Sequence, residues 1–386
     1  NYGGRITDYN DQTLNNTILN TYLRPEILTF EEYKFSSSGK YYSPQPGSKN
    51  DYMNFIKSLD GVTSPEVFGL HENAEITTAQ NEASKLLDTV LSIQPRASSS
   101  GGKKPEDTII EICNLIQSTL PENYNYEETF KKYPTDYKES MNTVLIQEIL
   151  RYNSLLDLIK EHIKQLKLAL AGRIVMSDEM DKISNSLYNN QVPSIWVTRG
   201  FLTLKPLLSW MNDFKERIKF FATWVDNGTP KVFDLPKFSV PQAFLTGTLQ
   251  NYARKHEKEI DLLNFEFFVH DQLRPERVAE KPEDGCYVSG LFIEGAKWNF
   301  STHVLGDPKN RELYSEMPMI LLKPTANKEE IKGIYSCPLY KVLSRRGTLS
   351  TTGHSTNFVL KLELPSSDDE SKWIKAGVAM FLALKQ

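Results

Sequence analysis

Leu145, Ile149, Tyr152, Leu156, Ile159, Ile163, Leu166 and Leu170 recur at alternating spacings of four and three. That spacing lines the side chains along one stripe of a single long helix. Leu155, Leu158 and Leu168 widen the stripe beyond two positions per heptad. A broad stripe favours a helix buried in its own bundle over the narrow seam of a coiled-coil dimer. Gly172 follows as the predicted stop. Towards the other end the period changes to two. Phe358, Leu360, Leu362 and Leu364 alternate with less apolar neighbours, as do Ile374, Ala376, Val378, Met380, Leu382 and Leu384. Shorter runs at Cys286–Ile293, Met317–Leu322 and Ile334–Val342 also read as strands. A sequence that switches from helical to strand period is α+β, with the strands in an antiparallel sandwich or small barrel.

Further helices precede and follow the long one. Leu14, Ile18 and Tyr22 are spaced by four within residues 8–23. Residues 34–50 collect Ser, Gly and Pro and read as loop. A short helix is expected at Tyr52–Leu59, and another at Thr78–Ser92 with Leu86, Leu87, Val90 and Leu91 on its apolar side. Ser177 is a predicted N-cap. Leu204, Leu207, Leu208, Met211, Phe214, Ile218 and Phe221 mark an amphipathic helix, and Pro241 opens a further one to Lys255. Arg96–Pro105, RASSSGGKKP, carries too little apolar surface to order itself and reads as a flexible insert.

The net charge of −4 provides no basic excess to attract nucleic acid or an anionic membrane, and no apolar run approaches the ~20 residues that span a bilayer. Cys113, Cys286 and Cys337 are widely spaced, as in a protein that needs no disulfides. The first residue, Asn1, stands within what reads as structure, so a piece of a longer polypeptide is expected.

Signals for chemistry are few. A phosphate cradle needs Gly-rich backbone, then Lys and a hydroxyl residue, opening a helix. In Gly290–Lys297 the Lys comes one position late, no hydroxyl follows it, and the segment reads as strand. Ser98–Lys104 has Gly-Gly-Lys-Lys without a flanking strand or helix. The histidines (His71, His162, His256, His270, His303, His354) lack the spacing of a helical metal site. His354 lies among hydroxyl residues, where a turn bonding its own backbone is the simpler reading than a nucleophile's base. Glu283-Asp284, Asp368-Asp369-Glu370 and Arg345-Arg346 read as solvated loop or turn charges, and Trp196, Trp210, Trp224, Trp298 and Trp373 as core. No catalytic, cofactor-binding or metal-ligating residue is expected.

Several blocks resemble the dynein heavy chain family, in the family's order. Tyr2–Asp8 resembles the opening of the small helical lid of the sixth AAA+ module, and Phe68–Ala74 its end. Glu139–Glu148, Arg151–Leu156, Pro241–Lys255, Pro282–Ala296 and Leu349–Val359 follow. The last block resembles axonemal dyneins, and the single-headed inner-arm type more than the outer-arm type. The resemblance implies the lid over residues 1–75, the helical part of the C-terminal domain over 76–284 with its insert at 96–105, and a β-barrel-like part over 285–386. It implies a region without catalysis that packs on the AAA+ ring and modulates force and processivity of minus-end-directed microtubule motility in cilia and flagella. ATP and magnesium would serve the full motor rather than this part. Hydrolysis would lie upstream, and microtubules would be reached only through a stalk earlier in the sequence. Expected partners are the other AAA+ modules of the same heavy chain, and light and intermediate chains in the full complex. The expected setting is the cytoplasm, cytoskeleton and axoneme, with this part monomeric. The alternative is a helical dimerisation module, built on the 145–170 stripe, without a motor role.

Overall fold

The computed structural model describes residues 4–384, apart from 37, 62, 94–103, 271–273, 328–331, 346 and 352. All but the last two residues of the expected insert lie outside the described residues. Those two, Lys104 and Pro105, open the next helix.

Helix α1 (Tyr9–Tyr22), the short α2 (Glu26–Thr29), α3 (Lys49–Ser58) and the long α4 (Asn73–Ile93) come first. Asp8 caps α1 by accepting from the amides of Asn10 and Asp11, and Ser48 with Asp51 forms a capping box on α3. The bundle follows: α5 (Pro105–Thr119), α6 (Tyr126–Lys132), α7 (Ser140–Leu170), α8 (Asp178–Tyr188), α9 (Ser194–Arg199), α10 (Leu207–Asn227) and α11 (Pro241–Lys255). The stripe on α7 is the spine of this bundle. Leu145, Ile149, Leu156, Ile159 and Leu166 are fully buried, so it is no open dimer seam. Gly172, at φ +68°, ends α7 in the left-handed conformation that favours glycine, and Ser177 caps α8 through the Met180 amide. Packing of α11 on α7 is close because Gly247 sits opposite Val144. An added Cβ there would stand 3.0 Å from a Val144 methyl.

One buried carboxylate fixes the backbone before α11. Glu148 is fully buried and accepts from Arg151 Nη1 (2.9 Å), the Ser239 amide (2.9 Å), the Ser239 hydroxyl and the Val240 amide (3.3 Å). A buried charge is tolerable when its lone pairs are filled in this way. Trp196, Trp210, Phe214, Phe221 and Trp224 fill the space beside α7, and all five indoles of the protein are buried.

The strands are β1 (Val232–Asp234), β2 (Asn264–His270), β3 (Cys286–Ser289), β4 (Phe292–Glu294), β5 (Lys297–Asn299), β6 (Val304–Gly306), β7 (Tyr314–Glu316), β8 (Met319–Thr325), β9 (Ile334–Val342), β10 (Phe358–Pro365) and β11 (Ala379–Ala383). They form a four-stranded sheet in the order β1-β3-β8-β2, a five-stranded sheet in the order β10-β9-β11-β4-β7, and the ribbon β5-β6. The fold is α+β, as expected, but the sheets do not close into a barrel. Nor are they wholly antiparallel: β1 runs parallel to β3 and β11 parallel to β9. Two strands of the first sheet, β1 and β2, come from before residue 285, and one apolar core runs from the bundle into both sheets.

Two strand readings need correction. The run from Ile374 is not one strand. Glu370–Lys375 is a helix, α12, capped by Asp369, and β11 starts only at Ala379. The Cys286–Ile293 run is two strands in different sheets, divided at Gly290 with φ +80°.

Candidate interaction surface

Up to residue 93, no apolar residue whose burial is described is buried; only Ser36 and Asn73 are. The helices there present apolar residues to water instead. Leu28 is 90% exposed, Ile56 59%, Leu86 66% and Leu87 61%, with Met53, Leu59 and Val90 also exposed. The apolar side read on α4 exists, but the protein itself does not cover it. Exposed apolar residues clustered along a helix, as Leu86, Leu87 and Val90 are on α4, suit a site of association.

This helical region meets the β module where α1 packs along α12 and at two polar clasps. At the first, Asp8 uses one carboxylate oxygen to cap α1 and accepts the Ser355 amide on the other at 3.2 Å. His354 stands 3.8 Å from that second oxygen and stacks on Phe358, the Asn10 side-chain Nδ2 donates to the Tyr340 hydroxyl at 3.3 Å, and Lys361 lies over the Tyr9 ring. At the second, Asn73 donates to the carbonyls of Lys309 (2.9 Å) and Glu312 (3.0 Å) and accepts the Arg311 amide at 2.7 Å. Arg311 holds φ +67°, a conformation a non-glycine residue keeps only when its surroundings fix it. Between the clasps lie open clefts of about 570 and 380 Å³, lined by Leu14 in both and by Ile374 or Ala376 opposite.

The sequence-derived chemical candidates fall into structural roles. Gly290–Lys297 is strand, turn and strand with no helix after it, and Gly290 packs against the carboxylate of Asp234, a poor neighbour for phosphate. The His354 turn bonds its own backbone, Ser350 N to His354 O and Thr356 N to Thr348 O, and it also meets Asp8. Asp368, Asp369 and Glu370 are exposed, as read, and the first two also hold structure, whereas Asp284 and Arg345 are half-buried and correct the solvated reading. Asp369 caps α12 while Asp368 pairs with Lys372 at 2.8 Å. Asp284 binds Lys255 at 2.7 Å and His256 at 2.9 Å; burial opposes its ionisation, but these partners hold its carboxyl below the usual range. Arg345 joins Glu294 and the Gly377 carbonyl, both at 2.9 Å, while Arg346 lies outside the described residues. Among the described residues no group of three His, Cys, Asp or Glu is placed to hold a metal, and no helix is long and apolar enough to cross a membrane. Burial pushes the thiols of Cys113 and Cys286 up, to about 11 and about 12, and that of Cys337 higher, so these are inert core groups. Sequence reasoning gives the clasp residues Asp8, Asn10 and Asn73 no role as functional side chains, although Asp8 and Asn73 stand in the two lid-like blocks.

Comparison with known proteins accounts for the two-part build. Residues 80–382 match the family profile of the C-terminal domain of the dynein heavy chain, and residues 1–74 that of the AAA lid domain of the dynein heavy chain. The protein belongs to the dynein heavy chain family. All 386 residues align with dynein axonemal heavy chain 1 of Rattus norvegicus at 45% identity, covering 8% of that protein. Dynein axonemal heavy chain 3 of Mus musculus is 42% identical over the same span, covering 9%, and dynein axonemal heavy chain 12 of Homo sapiens 42%, covering 12%. The sequence thus spans about a tenth of the length of these relatives. In this dynein the lid and C-terminal matches meet inside α4, which begins at Asn73 and runs unbroken to Ile93. A single helix therefore carries the lid into the C-terminal domain.

Proposed function

We propose that this region of an axonemal dynein braces the AAA+ ring and tunes its mechanics without performing catalysis itself. The observation that carries the reading is the uncovered apolar face of the lid and α4, attached to a C-terminal domain whose own core is closed. A neighbouring AAA+ module of the same heavy chain would cover that face. A brace can shift an equilibrium between ring states only by the difference in its contacts to each. The Gly-Gly-Lys-Lys stretch does precede a helix, α5, contrary to its reading, but Pro105 rather than Ser or Thr follows its lysines, and no Gly-x4-Gly-Lys-Ser/Thr run occurs in the sequence, which supports the absence of nucleotide chemistry here, with ATP and magnesium belonging to upstream modules. Microtubules would be reached through the stalk, light and intermediate chains would join in the full complex, and the setting would be the axoneme of a cilium or flagellum. The Leu349–Val359 block favours a single-headed inner-arm dynein.

Leu87→Glu tests the brace. Because Leu87 already faces water, the isolated 386-residue protein should melt as before. In the whole heavy chain the same change should alter force and ATP turnover measured on one preparation, through a coupling of ~1–3 kcal/mol. A whole motor indistinguishable from the unsubstituted one would refute the reading. Stoichiometric ATP binding by the isolated protein at micromolar Kd, about −8 kcal/mol, would refute its non-catalytic half.

A further inference from the structure

We infer that the lid is held to the β module by a detachable latch centred on Asn73, which opens as one unit while the core stays folded. Three observations meet here. First, none of the lid's described apolar residues is buried, so parting it from the β module breaks polar contacts and the half-buried packing of α1 on α12 but leaves the main apolar cluster intact. Second, beside the half-buried packing of α1 on α12, the contacts that fasten it are hydrogen bonds to backbone and side-chain groups that water can replace: Asn73 to the 309–312 turn, Asp8 to Ser355, and the Asn10 side chain to Tyr340. Exchange of a protein partner for water costs little compared with exposing packed apolar surface. Third, open clefts flank the α1–α12 contact, so the two clasps are separate points of attachment rather than the rim of a dry interface.

Asn73 is the centre for a geometric reason. It is the first residue of α4, so it sits where the lid passes into the connecting helix. Its one carboxamide makes three bonds to backbone atoms of the 309–312 turn, and Arg311 in that turn holds φ +67°. Releasing Asn73 frees the lid at one end and lets the turn relax. The Asp8–Ser355 clasp at the other end then has no second anchor. The latch lies within one polypeptide, so it operates whether or not the faces of α3 and α4 are covered.

Amide hydrogen exchange on the 386-residue protein tests this, because each clasp has its own reporter. The Arg311 amide donates to Asn73 and the Ser355 amide to Asp8, while Leu339 lies fully buried on β9 as the core reference. In the unsubstituted protein the Arg311 and Ser355 amides should exchange at least ~100-fold faster than Leu339, as expected for sub-global opening. Asn73→Asp keeps the acceptor for Arg311 but turns a carboxylate oxygen towards the Lys309 and Glu312 carbonyls. It should accelerate both reporters by a similar factor, ~10-fold or more, and leave Leu339 unchanged. Acceleration of Arg311 alone would reduce the clasp to local fraying and overturn the latch. Equal acceleration of all three amides would make the lid part of the core and overturn it too. If Asn73→Asp does not fold, the unsubstituted protein still decides: exchange of Arg311 and Ser355 as slow as Leu339 is incompatible with a latch.

Discussion

Glu148 makes a sharp test of how the bundle is held together. Each of its oxygens faces two donors: Oε1 the Arg151 guanidinium and the Val240 amide, Oε2 the amide and hydroxyl of Ser239. Glu148→Gln keeps size and shape but turns one acceptor into a donor. If the new NH2 replaces Oε1, it confronts two groups that can only donate. If it replaces Oε2, the Ser239 hydroxyl can rotate and accept, so only the Ser239 amide is stranded. The second orientation should win, and a stranded buried donor costs ~1–3 kcal/mol. Weakening of the charge-assisted Arg151 bond brings the total to about 2–3 kcal/mol. Glu148→Ala strands the whole set and leaves a cavity, for about 4–5 kcal/mol. Urea unfolding followed by tryptophan fluorescence reads this directly, since Trp196, Trp210 and Trp224 all lie in the same core. The expected order is unsubstituted, then Gln, then Ala, with the Gln variant near the middle. A Gln variant as stable as the unsubstituted protein would show that the pattern of donors does not hold the 239–240 segment. One more stable still would show that the buried charge is a net cost.

Leu156→Asp should abolish the folded bundle, since an unpaired carboxylate at a fully buried position costs several kcal/mol; if circular dichroism stays native and only the sedimentation coefficient changes, the α7 stripe is an interface after all. His162 accepts from the Trp196 indole at 3.0 Å, and burial lowers its pKa against the opposing pull of Glu179. A lowered folded-state pKa means that the unfolded state takes up the proton first, so stability should fall as pH drops from about 6.5 towards 5, and His162→Gln should flatten that slope in urea titrations. Unchanged slopes would remove His162 from the account. Truncation after residue 284 removes β3 and β8, the strands that pair with β1 and β2. The remainder should therefore aggregate on gel filtration, and a monodisperse 1–284 product would show that the bundle is self-sufficient.

Most helices were legible because their signals are local, although α2, α5, α6 and α9 carry no reading and α12 reads as strand. Period, cap and stop for α7, α8 and α11 all lie within a few residues of the element they define, as with Gly172, Ser177 and Pro241. The strands were legible only in part. β9 and β10 alternate because one face meets the main core, whereas β11 lies mid-sheet with Ala379, Met380, Phe381 and Leu382 all buried, so no alternation marks its start. Ile374 reads as a strand residue by spacing, yet it sits in α12 beside Trp373, whose indole donates to Ser366 at 2.7 Å. Parallel pairing of β11 with β9 depends on which edges meet, and no short window of sequence carries that. The clasps were invisible for the same reason: Asn73 meets Arg311 across 238 positions, and Asp8 meets Ser355 across 347. A resemblance carried by whole blocks brought those segments to notice without telling what their side chains hold.

The place of β11 bears on how such a protein is made. It is the last strand along the described sequence, yet it sits between β9 and β4. A ribosome delivers β4 some eighty-five residues, and β9 some forty, before β11 is synthesised. Until Ala379–Ala383 leaves the exit tunnel, both earlier strands offer an unpaired edge to any other extended segment nearby. The five-stranded sheet can therefore form only once Ala379–Ala383 has emerged, and nascent polypeptides stalled just before residue 379 are where a holding chaperone would be needed.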